Sequence, residues 1–392
     1  MMHNSQSVIL KPGKEKALRN RHPWIFSGAI DYFHDFENGE ILSVYSSSGE
    51  FLAKAYFHTK NSISGRVLTF MDESIDHVID QRITEAIILR QKLFDRELTN
   101  CFRLINAEGD GLPGLIVDIY DDLAVIQITT YGMHRLKFLI IEKLKEKLKL
   151  RGIYEKSHSS ARRLEGLPDD IGPLYGECPN EILVKENGVL FLVSIVEGQK
   201  TGFFLDQREM RQLIYRLSKD KRVLNCFSYT GGFSLFALKA GAKFVTSIDS
   251  SDSACRYAME NTQLNHIPLK DHQVVKSDVF DYLKNAKDPF DIVILDPPAF
   301  AKKRQDINDA CRGYKEINRR VLEMMPPNSY LLTCSCSHFM SENLFQQVVF
   351  QAAVEAKRQA VICSRHIQAS DHPVSLFHPE GEYLKSLLLY IA

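Results

Sequence analysis

Apolar and polar residues alternate with period two through much of the first 75 positions. The runs EILSVYSSSGEFLAKAYF (40–57) and NSISGRVLTF (61–70) put apolar side chains on one face of short strands, with Ser-Gly turns between them. A small β-rich module over 1–75 is predicted. The period then changes. IDQRITEAIILRQKLFDREL (79–98) and HRLKFLIIEKLKEKLKL (134–150) repeat apolar residues at helical spacing, and LIVDIYDDLAVIQIT (115–129) reads as a hairpin across Asp121-Asp122. A central α+β domain over 76–182 follows. The turn-rich string Glu108 to Gly114 reads as a structured loop rather than a pair of catalytic carboxylates. From 183 onward the short apolar runs RVLNCFSY, KFVTSID, HQVVKSD, FDIVILD and YLLTCSC alternate with helical stretches at 233–242, 251–265 and 306–325. That alternation predicts an α/β domain over 183–392, a parallel sheet covered on both faces.

Composition narrows the picture without changing it. A chain of 392 residues is too long for one ordinary core. Its 44% hydrophobic and 25% charged residues suit a folded globular protein. Lys plus Arg and Asp plus Glu are both 49, so the chain is no polycation, and nucleic acid would have to meet a local basic face. One candidate is the segment Lys11, Lys14, Lys16, Arg19 and Arg21, which leads into His22-Pro23-Trp24; a solvated charge run is the equally weighted alternative. The N-terminal string has no secretory pattern, and no apolar run approaches the roughly 18 residues of a membrane span. Eight cysteines without a C-x-x-C pair indicate reduced thiols, a cytoplasmic protein and no metal.

The candidate chemistry lies at the carboxyl ends of the predicted parallel strands, where open α/β sheets bind ligands. The first strand ends in Asn225-Cys226-Phe227-Ser228-Tyr229-Thr230-Gly231-Gly232 and passes straight into a helix. The glycines let the backbone approach a ligand closely. Asp249 ends the next strand, 18 residues after Gly231, where a carboxylate can accept both ribose hydroxyls. Asp278 ends the third, placed for an adenine amino group. The dinucleotide fingerprint G-x-G-x-x-G is absent. The fourth strand runs into Asp296-Pro297-Pro298-Ala299-Phe300. Prolines stop the strand there and leave Asp296 at its edge. Such polar-Pro-Pro-aromatic turns typify methyltransferases acting on planar, nitrogen-bearing bases.

Cys334 and Cys336 end the fifth strand. Cytosine C5 is a poor nucleophile until a thiolate adds to C6, which turns the ring into an enamine-like nucleophile. Asp296 would then hydrogen-bond the N3/N4 edge and steady the developing charge. In an alternating strand the two thiols share a face, so the pattern leaves the choice between them open, with buried packing as the plain alternative for either.

At these residues the chain resembles the RlmI-type 23S ribosomal RNA cytosine-C5 methyltransferases, a PUA-domain family. The resemblance covers Arg21 to Gly28, Glu108 to Gly114, Lys200-Thr201-Gly202-Phe203-Phe204-Leu205-Asp206-Gln207-Arg208, Val223 to Phe233, Cys311-Arg312-Gly313-Tyr314-Lys315, Ser335-Cys336-Ser337, and Asp371 to Val374 followed by Pro379-Glu380-Gly381. It implies an N-terminal PUA module, a Rossmann-like class I methyltransferase domain and S-adenosylmethionine as cofactor. Cys336 is the implied nucleophile, and Cys334 the implied packing residue. Gln207 and Arg208 are implied partners of the cofactor's methionine carboxylate, beside Asn225, Phe227, Tyr229, Thr230, Gly231, Gly232, Asp249 and Asp278. Lys14, Arg21 and Phe300 are the candidate RNA contacts. The expected partner is 23S ribosomal RNA or a large-subunit precursor, with a homodimer as one oligomeric option and no membrane. Many RNA cytosine-C5 enzymes carry a second cysteine in the fourth-strand turn; here that turn has none, as in the RlmI type, so the thiol must be released with another group or water. The rivals are methylation of a ring nitrogen such as guanine N7, which needs no thiol at 336, and a non-catalytic ribosome-assembly factor.

Overall fold

Alternation of buried and exposed side chains is visible along β4 (Ile41–Tyr45), where Leu42 and Val44 turn inward and their neighbours do not. The computed structural model describes residues 7–286, 288–301 and 303–392; the first six residues of the N-terminal string lie outside them. β1 (Ser7–Leu10), β2 (Trp24–Phe26), β3 (Ile30–Phe33), β4, β5 (Phe51–Phe57) and β6 (Ile63–Thr69) form one sheet in the order β2-β6-β5-β4-β1-β3, with the short helix α1 (Lys16–Arg19) between the first two strands. All its pairings are antiparallel except β1 with β4. Val8, Leu42, Val44, Ala53, Ala55 and Phe57 form its core.

A second sheet has the order β11-β10-β9-β8-β7: β7 (Cys101–Asn106), β8 (Leu115–Tyr120), β9 (Leu123–Ile128), β10 (Gly152–Ser157) and β11 (Asp170–Gly176). The hairpin across Asp121-Asp122 joins β8 to β9, with Asp121 at φ 57°. Helix α2 (Ile75–Leu93) starts earlier than its periodicity suggests because the Ser74 side chain accepts the His77 N–H and caps it. The expected second helix is two, α3 (Tyr131–Arg135) and α4 (Lys137–Lys147), which meet at Leu136; α5 (Ser160–Leu164) follows β10. The loop 107–114 is structural. Asp110 takes a bidentate pair from the buried Arg90 at 2.5 and 2.8 Å, and Glu108 accepts the Trp24 indole N–H at 2.9 Å. A β-carbon on Gly109 would lie 1.9 Å from the Pro373 carbonyl oxygen, so only glycine fits. These sheets belong to a compact unit of Met1–Val184, Val193–Leu205 and Ser370–Gly381.

The hairpin β12 (Glu181–Glu186) and β13 (Val189–Ser194) leads into the second unit, Lys185–Leu192, Asp206–Ala369 and Glu382–Ala392. Its sheet contains β14 (Arg222–Cys226), β15 (Phe244–Asp249), β16 (His272–Lys276), β17 (Ile292–Leu295), β18 (Ser329–Ser335), β19 (Ala360–His366) and β20 (Lys385–Ile391), in the order β16-β15-β14-β17-β18-β20-β19. The first five run parallel; β20 and β19 are antiparallel additions. Val223, Ile292, Ile294 and Leu332 pack on one face with α6 (Arg208–Leu217) and α7 (Gly232–Lys239). Leu224, Val293, Leu295 and Leu331 pack on the other with α10 (Ile307–Met324) and α11 (Glu342–Glu355). Burial on both faces explains the nearly continuous apolar runs in the sequence. Helices α8 (Asp252–Leu264) and α9 (Val279–Asn285) complete the unit. Strand order reverses between β14 and β17, and the loops after those strands flank the crevice where such sheets bind ligands.

Candidate active site

The loop after β14 is wound by three left-handed residues within five: Phe227 (φ 59°), Tyr229 (φ 48°) and Gly231 (φ 83°). Non-glycine residues held there cost roughly 1–3 kcal/mol each and persist only where surrounding bonds enforce them. Asp249 supplies that enforcement. Its carboxylate accepts the Tyr229 N–H at 2.8 Å and the Ser251 N–H at 2.9 Å, which fixes its orientation while lone pairs remain for a ligand. A β-carbon on Gly231 would stand 3.3 Å from that of Ala258, a second reason for glycine. Gly232 opens α7 and is buried, as is Thr230, whose carbonyl accepts from Asn261. The Ser228 hydroxyl oxygen is buried and has no hydrogen-bond partner among the described residues. A polar atom so placed, beside an oriented carboxylate and a loop that admits close approach, fits a ribose-bearing cofactor.

Two expected cofactor contacts have structural duties that the sequence concealed. Asn225 is fully buried and turns its amide away into the unit, donating to Ser234 at 2.9 Å. That bond begins a buried relay: Ser234 to Ser247 at 2.6 Å, Ser247 to the His272 Nε2 at 2.7 Å, and the His272 Nδ1 to Thr262 at 2.6 Å. Thr262 donates onward to the Ala258 carbonyl, so Nδ1 carries the ring proton and Nε2 accepts from Ser247. Burial pushes the imidazole pKa down to about 4, and it stays neutral. Asp278 caps α9, its Oδ1 accepting the Phe280 and Asp281 N–H groups, which leaves Oδ2 for a ligand.

The other wall is the turn after β17. Asp296 is half-buried and accepts the Gln207 Nε2 at 2.9 Å. Gln207 therefore braces the carboxylate, a partnership 89 positions apart that no motif reveals. Arg208 is buried with its Nε 3.3 Å from Glu186, which also holds Arg211. Phe300 packs on Tyr314 with ring centroids 4.6 Å apart and lies 3.1 Å from where a Gly313 β-carbon would be. Its ring packs against the core cluster while staying partly exposed.

The two thiols differ. Cys334, within β18, is fully buried, and burial followed by the Asp296 charge pushes its pKa well above the ordinary range. Cys336 lies one residue past the end of β18, outside the ladder and partly exposed, with Sγ 3.8 Å from the Pro297 carbonyl. Its neighbours are locked. Ser335 donates to the Tyr314 hydroxyl at 3.0 Å, the Tyr314 and Ser337 hydroxyls are 3.1 Å apart, and Ser337 Oγ accepts the Ala301 N–H at 3.3 Å. Lys385 Nζ donates to the Ser337 carbonyl at 2.9 Å. Sequence reasoning assigned no role to Tyr314, Ser335, Ser337 or Lys385; the only signal was a lysine opening the apolar run of β20.

In the first unit, Lys14 is exposed. The Arg21 guanidinium lies 5.2 Å over the Phe70 ring, beside a cavity of about 370 Å³ that Arg82, Glu85 and Phe377 also line. Arg19 is committed to Glu50, and Lys11 to the Gly28 carbonyl. No helix of the described residues is long and apolar enough to cross a membrane.

Fold and site define an S-adenosylmethionine-dependent methyltransferase carrying a PUA-like domain. Residues 8–70 match the PUA-like domain family and residues 167–358 the S-adenosylmethionine-dependent methyltransferase family. The chain is 44% identical to ribosomal RNA large subunit methyltransferase I of Aliivibrio fischeri (strain MJ11) over 97% of its own length and 98% of that protein's. It is 42% identical to the protein of the same name from Vibrio vulnificus (strain YJ016), with 97% and 98% covered. The chain belongs to the ribosomal RNA large subunit methyltransferase I family. Among solved structures it is similar to a methyltransferase complexed with SAH, with a TM-score of 0.86, 26% identity, and 99% and 100% of the two chains covered. It is also similar to an S-adenosylmethionine-dependent methyltransferase from Streptococcus mutans, with a TM-score of 0.84, 26% identity and the same coverage.

Proposed function

We propose that this enzyme methylates C5 of a cytosine in 23S ribosomal RNA through a covalent bond between Cys336 and C6. The name shared by the relatives supports large-subunit ribosomal RNA as substrate. What carries the chemical assignment is the position of Cys336: partly exposed, beyond the strand end, against the Asp296-Pro297-Pro298 turn, while Cys334 is sealed in the sheet. A methyltransferase acting on a ring nitrogen has no use for a thiol there.

Asp249 would hold the cofactor ribose, Asp278 Oδ2 the adenine edge, and the Phe227–Gly232 loop the close backbone approach. Bound there, the cofactor supplies an electrophilic methyl group on its sulfonium. The Cys336 thiolate adds to C6, and Asp296, oriented by Gln207, accepts from the base edge as charge develops on the ring. C5 takes the methyl, then gives up its proton to a base or water, and the C6–S bond breaks to return the thiolate. Lys14 and Arg21, in a module spanning about 1–75, would meet RNA phosphates.

RNA containing 5-fluorocytidine tests this directly, because fluorine cannot leave C5 as a proton does. A stable protein–RNA adduct mapping to Cys336 is expected only with S-adenosylmethionine present. Methylation that survives in Cys336→Ala returns the assignment to a ring nitrogen.

A further inference from the structure

Several buried cations are matched by carboxylates: Arg90 by Asp110, Arg103 by Asp118, Arg211 by Glu186, Lys137 by Glu155. Lys156 is not; it donates to the Ile195 and Gly198 carbonyls, far from the candidate nucleophile in sequence. Lys385 is only 6% exposed and likewise has no carboxylate partner among the described residues. It lies opposite Ser335 in the β18–β20 register. Its Nζ donates to the carbonyls of Ser337, at 2.9 Å, and Tyr383, at 2.7 Å. An ammonium has three N–H donors, so one remains. A buried charge satisfied only by neutral carbonyls is costly unless an anion arrives to pair with it. The residue between its two β18-side anchors, Ser335 and Ser337, is Cys336.

We propose that Lys385 is a positioning residue whose buried ammonium is the counter-charge of the Cys336 thiolate, which rests on the reading of Cys336 as nucleophile. Ionisation breaks the S–H bond. The proton goes to water, the electron pair stays on Sγ, and Lys385 keeps all three of its protons throughout. The groups facing this pair are Asp296 from the turn after β17, Cys334 from β18, Tyr314 from α10, and Glu382 ahead of β20. Asp296 opposes ionisation of the neighbouring Cys334, so a cation is what this anionic setting lacks. Burial lowers the ammonium's own pKa, while Cys336 and Glu382 raise it.

The test is the pH profile of Cys336 alkylation by iodoacetamide in the purified full-length chain, without RNA, quantified at that residue by mass spectrometry. The wild-type midpoint should fall below the ordinary thiol value of about 8.5. Lys385→Met should raise it by about one unit or more, cutting reactivity at pH 7 roughly tenfold, and Lys385→Arg should restore most of it. A midpoint unmoved in Lys385→Met that still binds S-adenosylhomocysteine overturns the proposal. Should that variant not fold, the wild-type midpoint decides: below about 8.5 supports the pairing, at or above it overturns it. A shifted midpoint with no 5-fluorocytidine adduct would sink the C5 reading and leave the ion pair standing; an adduct with an unshifted midpoint does the reverse.

Discussion

Tyr314→Phe removes one oxygen atom and tests whether the turn carrying Cys336, the proposed nucleophile, is held by its neighbours. Tyr314 is fully buried, and its ring packs on Phe300 and Phe345 at 4.6 and 5.5 Å. Phenylalanine keeps those contacts, so the change falls on the hydroxyl's bonds, with Ser335 and Ser337 and with the Phe300 backbone. Each neutral bond contributes about 1 kcal/mol net. The serine oxygens still accept, Ser337 Oγ from the Ala301 N–H at 3.3 Å and Ser335 Oγ from the Ser337 N–H at 3.4 Å, but the Ser335 O–H loses its acceptor. The expected destabilisation is therefore about 1–3 kcal/mol, and at roughly 2–4 °C per kcal/mol the melting point should drop by several degrees. The catalytic loss should be out of proportion. Freed serines let Cys336 swing, and misplacement of a nucleophile by about 1 Å can cost on the order of a hundredfold. Steady-state methyl transfer to large-subunit RNA gives kcat and KM, and calorimetry gives affinity for S-adenosylhomocysteine. The expected pattern is kcat down ten- to hundredfold with KM and cofactor affinity within about twofold of wild type. A kcat equal to wild type, with the melting point lowered as calculated, would show that Tyr314 only packs.

Asp249→Ala should weaken S-adenosylhomocysteine binding by at least ten- to hundredfold in calorimetry, because it removes charged hydrogen bonds worth about 1.5–3 kcal/mol each and also releases the Tyr229 and Ser251 amides; unchanged affinity removes Asp249 from the site. Cys336→Ala should abolish both turnover and the 5-fluorocytidine adduct while cofactor binding survives, whereas Cys334→Ala should retain activity with a modest packing loss; an inactive Cys334→Ala enzyme of normal stability would reverse the assignment. Lys14→Ala with Arg21→Ala should weaken RNA binding and flatten its salt dependence without touching cofactor affinity, and an unchanged salt slope would make the segment a solvated face. The neutral His272, with its pKa lowered from 6.5 to about 4, makes stability fall as pH drops from about 6.5 towards 4, by roughly 1.4 kcal/mol per unit, since the unfolded chain gains a proton there that the fold refuses. Denaturation midpoints between those pH values should show a shallower slope for His272→Gln than for wild type; equal slopes would mean that His272 contributes nothing to it.

What was legible in the sequence is what local pattern encodes. Period-two alternation located the N-terminal sheet, and unbroken apolar runs marked the parallel strands, because strands buried on both faces need no polar side. The acids at 249, 278 and 296 could be placed at or just past strand ends, because the apolar runs that precede them mark where the strands stop. Pairings across long separations could not be read. Gln207 meets Asp296, and Asp371 reaches back to the Arg103 amide and the Arg90 guanidinium, which ties 370–381 to the first unit. The sequence gives no sign of these because the partners need only be polar, with no spacing between them. Asp278 shows the converse ambiguity. An acid before a helix is favoured as a cap whatever else it does, so its presence is weaker evidence of a ligand than its position suggests.

The pair of cysteines shows most clearly why alternation ran out. Two residues apart in a strand, they should share a face and an environment. They do not, because β18 ends at Ser335 and the ladder that enforces alternation ends with it. Cys334 stays under the sheet's rule, buried and beside the Asp296 charge, which together keep its proton on. Cys336, one step past the ladder, takes its conformation from Tyr314, Ala301 and Lys385 instead, groups drawn from α10, the Pro-Pro turn and β20. Nucleophilicity needs both access and a thiolate, and Cys334, fully buried beside the Asp296 charge, has neither. On the proposed reading of Cys336 as nucleophile, the difference between the two thiols therefore rests on where β18 stops.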